Sequence, residues 1–91
     1  MSEAETLRYF TAYTGMNLPF HLVGELAEDE TRNRNTYFEG RFDASGVLLS
    51  FRKMVYGEVE LEHRYHYSDA GALLRARITD ADGEVTVVEP G

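Results

Sequence analysis

Aromatic and histidine side chains recur at alternate positions in one segment of the chain. His63, Tyr65 and Tyr67 share one parity, and Tyr56 lies just before the same segment. Residues two apart on a β-strand point to the same face, so these side chains would line one side of a sheet. Such a surface can bind a flat apolar ligand, or it can be a core with hydroxyl groups at its rim. We take these four as candidate ligand-binding residues and keep both interpretations.

The same segment carries carboxylates and a histidine pair that invite a metal-site interpretation. Glu58, Glu60 and Glu62 fall on the opposite parity, but calcium needs about six to eight oxygen ligands converging from a loop. His63 and His66 have the spacing of a zinc pair on a helix, whereas on a strand they point to opposite faces. We therefore predict a solvated acidic face, no metal and no cofactor. The expected basic partner of these glutamates is Lys53, Arg75 or Arg77 on a neighbouring strand.

Arg32 and Arg34, within Arg32-Asn33-Arg34-Asn35, form the densest basic and amide-rich stretch. Two neighbouring guanidinium groups can bind a carboxylate or a phosphate, which makes both arginines candidate anion-binding residues. They can equally cap and neutralise the acidic residues before them, Glu28 to Glu30. The chain contains no Ser-His-Asp order, no glycine-rich phosphate loop and no nucleophile elbow, so we predict no catalytic residue.

Composition excludes several classes of function. The chain has 91 residues, a net charge of −7 and no cysteine. Affinity for nucleic acid depends on clustered Lys and Arg, so we expect no nucleic-acid partner. No apolar stretch approaches the roughly 18 residues of a membrane span, and the acidic N-terminus lacks the features of a secretory signal. We expect a cytoplasmic protein that binds no membrane.

One turn signature occurs three times, as Asp43-Ala44-Ser45-Gly46, Ser68-Asp69-Ala70-Gly71 and Asp80-Ala81-Asp82-Gly83. Type I turns favour Asp or Ser at the first position, where the side chain accepts a backbone N–H. The final glycine supplies a positive φ and forms the bulge of a three-residue hairpin loop. The three copies predict three antiparallel hairpins.

Residues between the turns are rich in β-branched and aromatic types, which predicts strands. The predicted strands are 7–14, 17–23, 35–42, 47–56, 58–67, 72–79 and 84–88. Pro19 cannot donate to a ladder, so the second strand belongs at an edge or a bulge. The prediction is a mainly β single domain over 1–91. It is an antiparallel meander of about six to seven strands, with a short helical or irregular acidic segment near 25–31. A single twisted sheet is the first choice, and a sheet curled into a partly closed barrel is the alternative.

Strand register at the 68–71 turn is left open by the sequence. A two-residue loop would put Glu62 opposite Arg77, and the three-residue loop that we favour would put His63 there. A shift of one residue exchanges the two faces of a strand, so every predicted cross-strand pair depends on this choice.

Two resemblances accompany these patterns. Phe42-Asp43-Ala44-Ser45-Gly46-Val47-Leu48 resembles the tyrosine-aspartate repeat of large bacterial shell proteins, although Ser68 follows Tyr67 and Thr79 replaces the aromatic residue in the later copies. The whole chain resembles a small uncharacterised bacterial family known as a domain of unknown function. The stretches concerned are Arg8-Tyr9-Phe10, Leu18-Pro19, Asn33-Arg34-Asn35-Thr36-Tyr37-Phe38 and Val55-Tyr56-Gly57-Glu58-Val59-Glu60-Leu61. That resemblance implies a bacterial protein and assigns no activity.

These observations leave three functional hypotheses. The first is a small acidic, non-catalytic protein that works by contacting a protein partner or a second copy of itself, because an exposed strand edge can accept another strand. The alternative is a small-molecule binding protein or minor enzyme that uses the aromatic and histidine face. The third is an acidic inhibitor that mimics nucleic acid.

Overall fold

The three predicted turns reverse the chain as expected in the computed structural model, which describes residues 5–15 and 18–89. Gly46, Gly71 and Gly83 have φ values of +86°, +88° and +83°. Gly46 N–H donates to the Asp43 carbonyl at 3.0 Å and Asp43 N–H donates to the Val47 carbonyl at 3.0 Å, and the other two turns repeat both bonds. The side chain of the first residue of each turn also accepts a backbone N–H.

The described residues form seven strands and one short 3-10 helix. The elements are β1 (Thr6–Thr14), β2 (His21–Leu26), η1 (Glu28–Asn33), β3 (Thr36–Phe42), β4 (Leu48–Val55), β5 (Glu58–Tyr67), β6 (Leu73–Asp80) and β7 (Val85–Val88). The mainly β antiparallel prediction is therefore confirmed. The second strand begins later than predicted and extends to Leu26, so the short helix is shifted from 25–31 to Glu28–Asn33.

All seven strands belong to one antiparallel sheet in the order β2-β1-β3-β4-β5-β6-β7. Strands β3 to β7 follow each other as a meander. β2 pairs on the far side of β1, and η1 then leads the chain back so that β3 can pair with the other side of β1. The sheet is open rather than closed on itself, and β2 and β7 are its edges. The prediction that the strand after Pro19 lies at an edge is confirmed.

The core lies on one face of this sheet. Its buried residues are Phe10, Phe38, Leu48, Phe51, His63, Tyr65 and Ala76. Residues 18–22, which we call the covering segment, fold across this face: the Phe20 ring lies 6.4 Å from that of Phe51. A Cβ at Gly40 would lie 2.6 Å from Cδ1 of Leu22, so the absence of a side chain at Gly40 allows this close approach.

The register between β5 and β6 differs from both predicted alternatives. Tyr67 lies opposite Leu73, as a three-residue loop requires, but an irregularity between His66 and Tyr67 then shifts the pairing by one residue. Arg64 therefore lies opposite Arg77, and the expectation that Glu62 or His63 would do so was wrong. Bulges of this kind insert one extra residue into a strand and cannot be read from loop length alone. The faces of β5 are as predicted, because His63 and Tyr65 are buried while Arg64 is exposed.

Candidate functional site

Three of the four candidate ligand-binding residues lie together on the core face of β5. His63 is 3% exposed and Tyr65 is 5% exposed, while Tyr67 is half-buried. The Nδ1 atom of His63 is 2.9 Å from the Oη atom of Tyr65, and the rings of Tyr65 and Tyr67 are 6.4 Å apart. The alternation seen in the sequence thus corresponds to a shared face of β5 for these three side chains.

The covering segment closes this group off from solvent. The ring of Phe20 lies 5.2 Å from that of His63 and stacks on Tyr13 at 4.8 Å. Phe20 also donates its backbone N–H to the Oη atom of Tyr65 at 3.3 Å. Because that oxygen accepts a hydrogen bond from the Phe20 N–H, the hydroxyl can donate its own hydrogen bond to Nδ1 of His63, which satisfies both buried polar groups.

Burial keeps both groups uncharged near neutral pH. It lowers the pKa of His63 to about 4 and raises the pKa of Tyr65 to about 12. A general acid or base works best when its pKa is close to the working pH. The pair is therefore suited to holding the covering segment on the sheet rather than to moving protons.

Tyr56 does not join this group. It lies in the turn between β4 and β5, with a φ of 50° and 76% of its surface exposed. The sequence suggested that Tyr56 lies near the other three residues because it directly precedes β5. In the structure its side chain points into solvent at the start of β5, whereas Tyr67 lies at the end of that strand.

Tyr67 borders a cleft of ≈ 280 Å³ between the covering segment and the hairpin of β3 and β4. Its lining residues are Pro19, Phe20, His21, Leu22, Phe42, Gly46, Val47, Leu48 and Tyr67. The Tyr67 hydroxyl donates to the carbonyl of Leu48 at 2.6 Å, so two of the lining residues are joined by a hydrogen bond. Ligand pockets are about 300–1,000 Å³ and mostly apolar, so this cleft has the lining of a small-ligand site at the low end of the size range.

Arg32 and Arg34 lie at the end of η1 and are both exposed. Arg34 donates its Nε proton to the carbonyl of Thr36 at 3.2 Å, and its backbone N–H donates to the carbonyl of Thr31. The backbone bond caps η1, whereas the side-chain bond is directed to the start of β3 and not to the acidic residues of η1. Neither arginine forms an ion pair with another described residue, and their role in binding an anion stays a prediction.

The face of the sheet opposite the core carries charged side chains of both signs. Glu62 accepts a bond from Nε of Arg52 at 3.0 Å and forms an ion pair with Arg64 at 3.3 Å. At the irregularity between Lys53 and Met54, Glu60 pairs with the predicted partner Lys53 at 3.1 Å, although Lys53 has the parity of the buried Phe51. Glu60 and Glu62 therefore each have basic partners of their own on β4 or β5 instead of converging on one point.

The free edge of β7 combines unpaired backbone groups with exposed valines. Asp80 N–H donates to the carbonyl of Glu84, which makes these two a hydrogen-bonded pair. Such pairs alternate along an antiparallel ladder, so Thr86 and Val88 bond to β6, while Val85 and Val87 direct their N–H and C=O groups outwards. The side chains of Val85 and Val87 are 43% and 52% exposed. Within the described residues, no strand pairs with β7 on that side.

The edge formed by β2 is less regular. Gly24 has a φ of +74°, which interrupts the extended backbone in the middle of the strand. Val23 directs its carbonyl to the hydroxyl of Thr11, at 3.4 Å, within the same sheet. Irregularities of this kind protect edges from pairing with another chain. β7 is therefore the edge better able to accept a strand, and Val85 and Val87 are functional candidates that the sequence analysis missed.

The sequence signal for this edge was the alternation of Val85 and Val87 in the last predicted strand, because the last strand of a meander has a neighbour on one side only.

Among known proteins, the model of a family of unknown function, DUF6156, matches residues 2–90. No curated protein and no solved structure matches the chain.

Proposed function

The chain belongs to the DUF6156 family, and we propose that it acts through protein–protein contact by accepting a partner strand at the free edge of β7. The observation that carries this proposal is the coincidence of outward backbone groups and exposed side chains at Val85 and Val87. In strand addition, main-chain hydrogen bonds supply affinity and alternate side chains supply specificity. The proposed role is non-catalytic and cytoplasmic.

Two contributions would favour binding of a strand at β7: hydrogen bonds to its backbone and burial of its valine side chains. Both backbone N–H groups at Val85 and Val87 are solvated in the free edge, and pairing them with a strand gains about 0.5–1.5 kcal/mol for each hydrogen bond. Covering the two side chains removes apolar surface from water at about 25 cal/mol per Å². An edge of four residues gives a small interface, so the proposed contact is reversible and of modest affinity.

Val87→Pro tests the proposal cleanly. Proline removes the outward N–H of residue 87 and leaves the bonds of Thr86 and Val88 to β6 in place. Val59→Lys is the matched control, because Val59 is an exposed valine (42%) on β5 rather than on the edge. We expect affinity purification from the native host to recover a partner, or a differently tagged copy, with wild type and Val59→Lys but not with Val87→Pro. Recovery of the same proteins with Val87→Pro would contradict the proposal.

A second candidate function is the binding of a small apolar molecule in the cleft beside Tyr67. Its apolar lining and ≈ 280 Å³ volume favour this function. Val47→Phe would fill the cleft from its rim, where Val47 is 40% exposed. A fragment screen by NMR should show shifts at Phe42 and Leu48 that disappear in Val47→Phe. Shifts that persist in this variant, or none in wild type, would exclude the cleft as the binding site.

A further inference from the structure

We infer that the strand accepted by β7 is the β7 strand of a second copy of this chain, paired antiparallel about a two-fold axis. This inference rests on the proposed function and names its partner. Of the two sheet edges among the described residues, β7 is the one with a regular backbone. A two-fold contact requires a surface that is complementary to itself, and a regular edge strand meets this requirement because it can pair antiparallel with an identical strand. The two seven-stranded sheets would then join into one continuous sheet.

The alternation of hydrogen bonds along β7 limits the register, and among the allowed registers the one that pairs Val85 with Val87 keeps both hydrogen-bonded pairs within Val85–Val88. A hydrogen-bonded pair between two copies must join residues whose backbone groups point outwards on both strands. Pairing Val85 with Val87 of the second copy, and Val87 with Val85 of the second copy, satisfies all outward N–H and C=O groups of these residues. Thr86 then lies on the two-fold axis and faces Thr86 of the second copy as a non-hydrogen-bonded pair.

Side chains agree with this register on both faces of the sheet. The four valines of the two copies meet on the face opposite the core and cover one another, where each is now about half exposed. The paired threonines meet on the core face, and cross-strand Thr–Thr pairs are favourable. Glu84 lies opposite Val88 of the second copy and Glu89 lies opposite Gly83, so no charge is placed directly opposite a like charge.

Net charge gives the contact an unusual dependence on salt. Each copy carries −7, so two copies repel each other at long range, and this repulsion is screened as ionic strength rises. We expect dimer affinity to increase roughly tenfold between 10 and 150 mM salt. Binding to a basic protein through the acidic surface would weaken over the same range, which separates a second copy from a basic partner.

A single introduced cysteine tests the register directly, because the chain has none of its own. Non-hydrogen-bonded pairs bring Cα atoms to about 4.5 Å, within the range that a disulfide can bridge. We expect Thr86→Cys to form a disulfide-linked dimer under mild oxidation at least tenfold faster than Val59→Cys at the same concentration. Adding Val87→Pro to Thr86→Cys should reduce the rate to that of Val59→Cys.

Three outcomes distinguish failure of this inference from failure of the proposed function. Equal cross-linking of Thr86→Cys and Val59→Cys, with a protein of different sequence lost from Val87→Pro purifications, overturns the second copy and keeps strand addition. A dimer in sedimentation analysis that Val87→Pro leaves intact overturns the inference, because its contact lies elsewhere. A monomer up to millimolar concentration with no partner sensitive to Val87→Pro overturns both.

Discussion

The hydroxyl of Tyr65 lies 2.9 Å from Nδ1 of His63 and also accepts the backbone N–H of Phe20 at 3.3 Å. One buried oxygen therefore joins the middle of β5 to the covering segment. The same segment forms one wall of the cleft beside Tyr67, so this contact and the cleft share the residue Phe20.

Tyr65→Phe should lower the free energy of unfolding by about 1–3 kcal/mol. The substitution leaves the Phe20 N–H and a nitrogen of His63 without their partner, and an unsatisfied buried polar group costs that amount. Urea unfolding followed by circular dichroism measures the change. Tyr56→Phe is the control, because the Tyr56 side chain is exposed, and it should shift stability by less than 0.5 kcal/mol in magnitude, roughly the effect of an ordinary surface change. Equal effects of the two variants would contradict this account.

Acid should destabilise the protein through His63. Its pKa is about 4 in the folded state and 6.5 when unperturbed, so the unfolded state binds more protons between these values. The contribution is complete above about pH 6.5, is lost progressively as pH falls, and is gone below about pH 4. The lost stability is about 3 kcal/mol. Unfolding free energies measured in urea between pH 7.5 and 4 test this dependence.

His63→Gln should flatten the pH dependence, whereas His66→Gln should leave it unchanged. Both variants remove one imidazole from β5, but His66 is exposed on the opposite face. Carboxylates also contribute to acid unfolding, so the informative quantity is the difference between each variant and wild type at each pH. A pH dependence that is the same in all three proteins would show that His63 is not the responsible group.

Gly40→Ala should destabilise the protein by about 2–3 kcal/mol through overpacking. The new Cβ would lie 2.6 Å from Leu22 and 2.9 Å from Phe42. Gly71→Ala has open space around its Cβ and a φ of +88°, so it should cost about 1–2 kcal/mol of backbone strain. Thermal unfolding of the variants compares these two mechanisms.

Leu22→Ala provides the matched test of crowding at Gly40. The combined Gly40→Ala and Leu22→Ala variant should lose less stability than the sum of the single variants, because the shorter side chain makes room for the new methyl group. With Gly71→Ala in place of Gly40→Ala, the two losses should add. Additive losses in both pairs would mean that Leu22 does not cover Gly40.

The three hairpins could be predicted because local chemistry determines them. Asp43 and Asp80 accept backbone N–H groups within their own turns, and the following glycines adopt the positive φ that the pattern requires. The buried face of β5 was equally accessible, because alternation of His63 and Tyr65 with charged residues does not depend on other strands.

Long-range features were inaccessible for a physical reason. The irregularity between His66 and Tyr67 changes the partner of Arg77 without any signal in the loop. The folding of Phe20 over His63 depends on packing between distant residues, since the bond from Phe20 to Tyr65 spans 45 positions. The position of β2 beyond β1 depends on which side of β1 pairs with β3. Val85 and Val87 could be recognised as residues of a free edge only once the strand order of the sheet was known.

Amide hydrogen exchange along β7, measured by NMR at increasing protein concentration, tests the central claim most directly. Thr86 and Val88 should be protected at all concentrations, because their N–H groups bond to β6. Val85 and Val87 should exchange rapidly in dilute solution and become at least tenfold slower as the edge is occupied at high concentration or by a partner. Protection of Val85 and Val87 that never changes, while other surface amides become protected, would contradict strand addition at this edge.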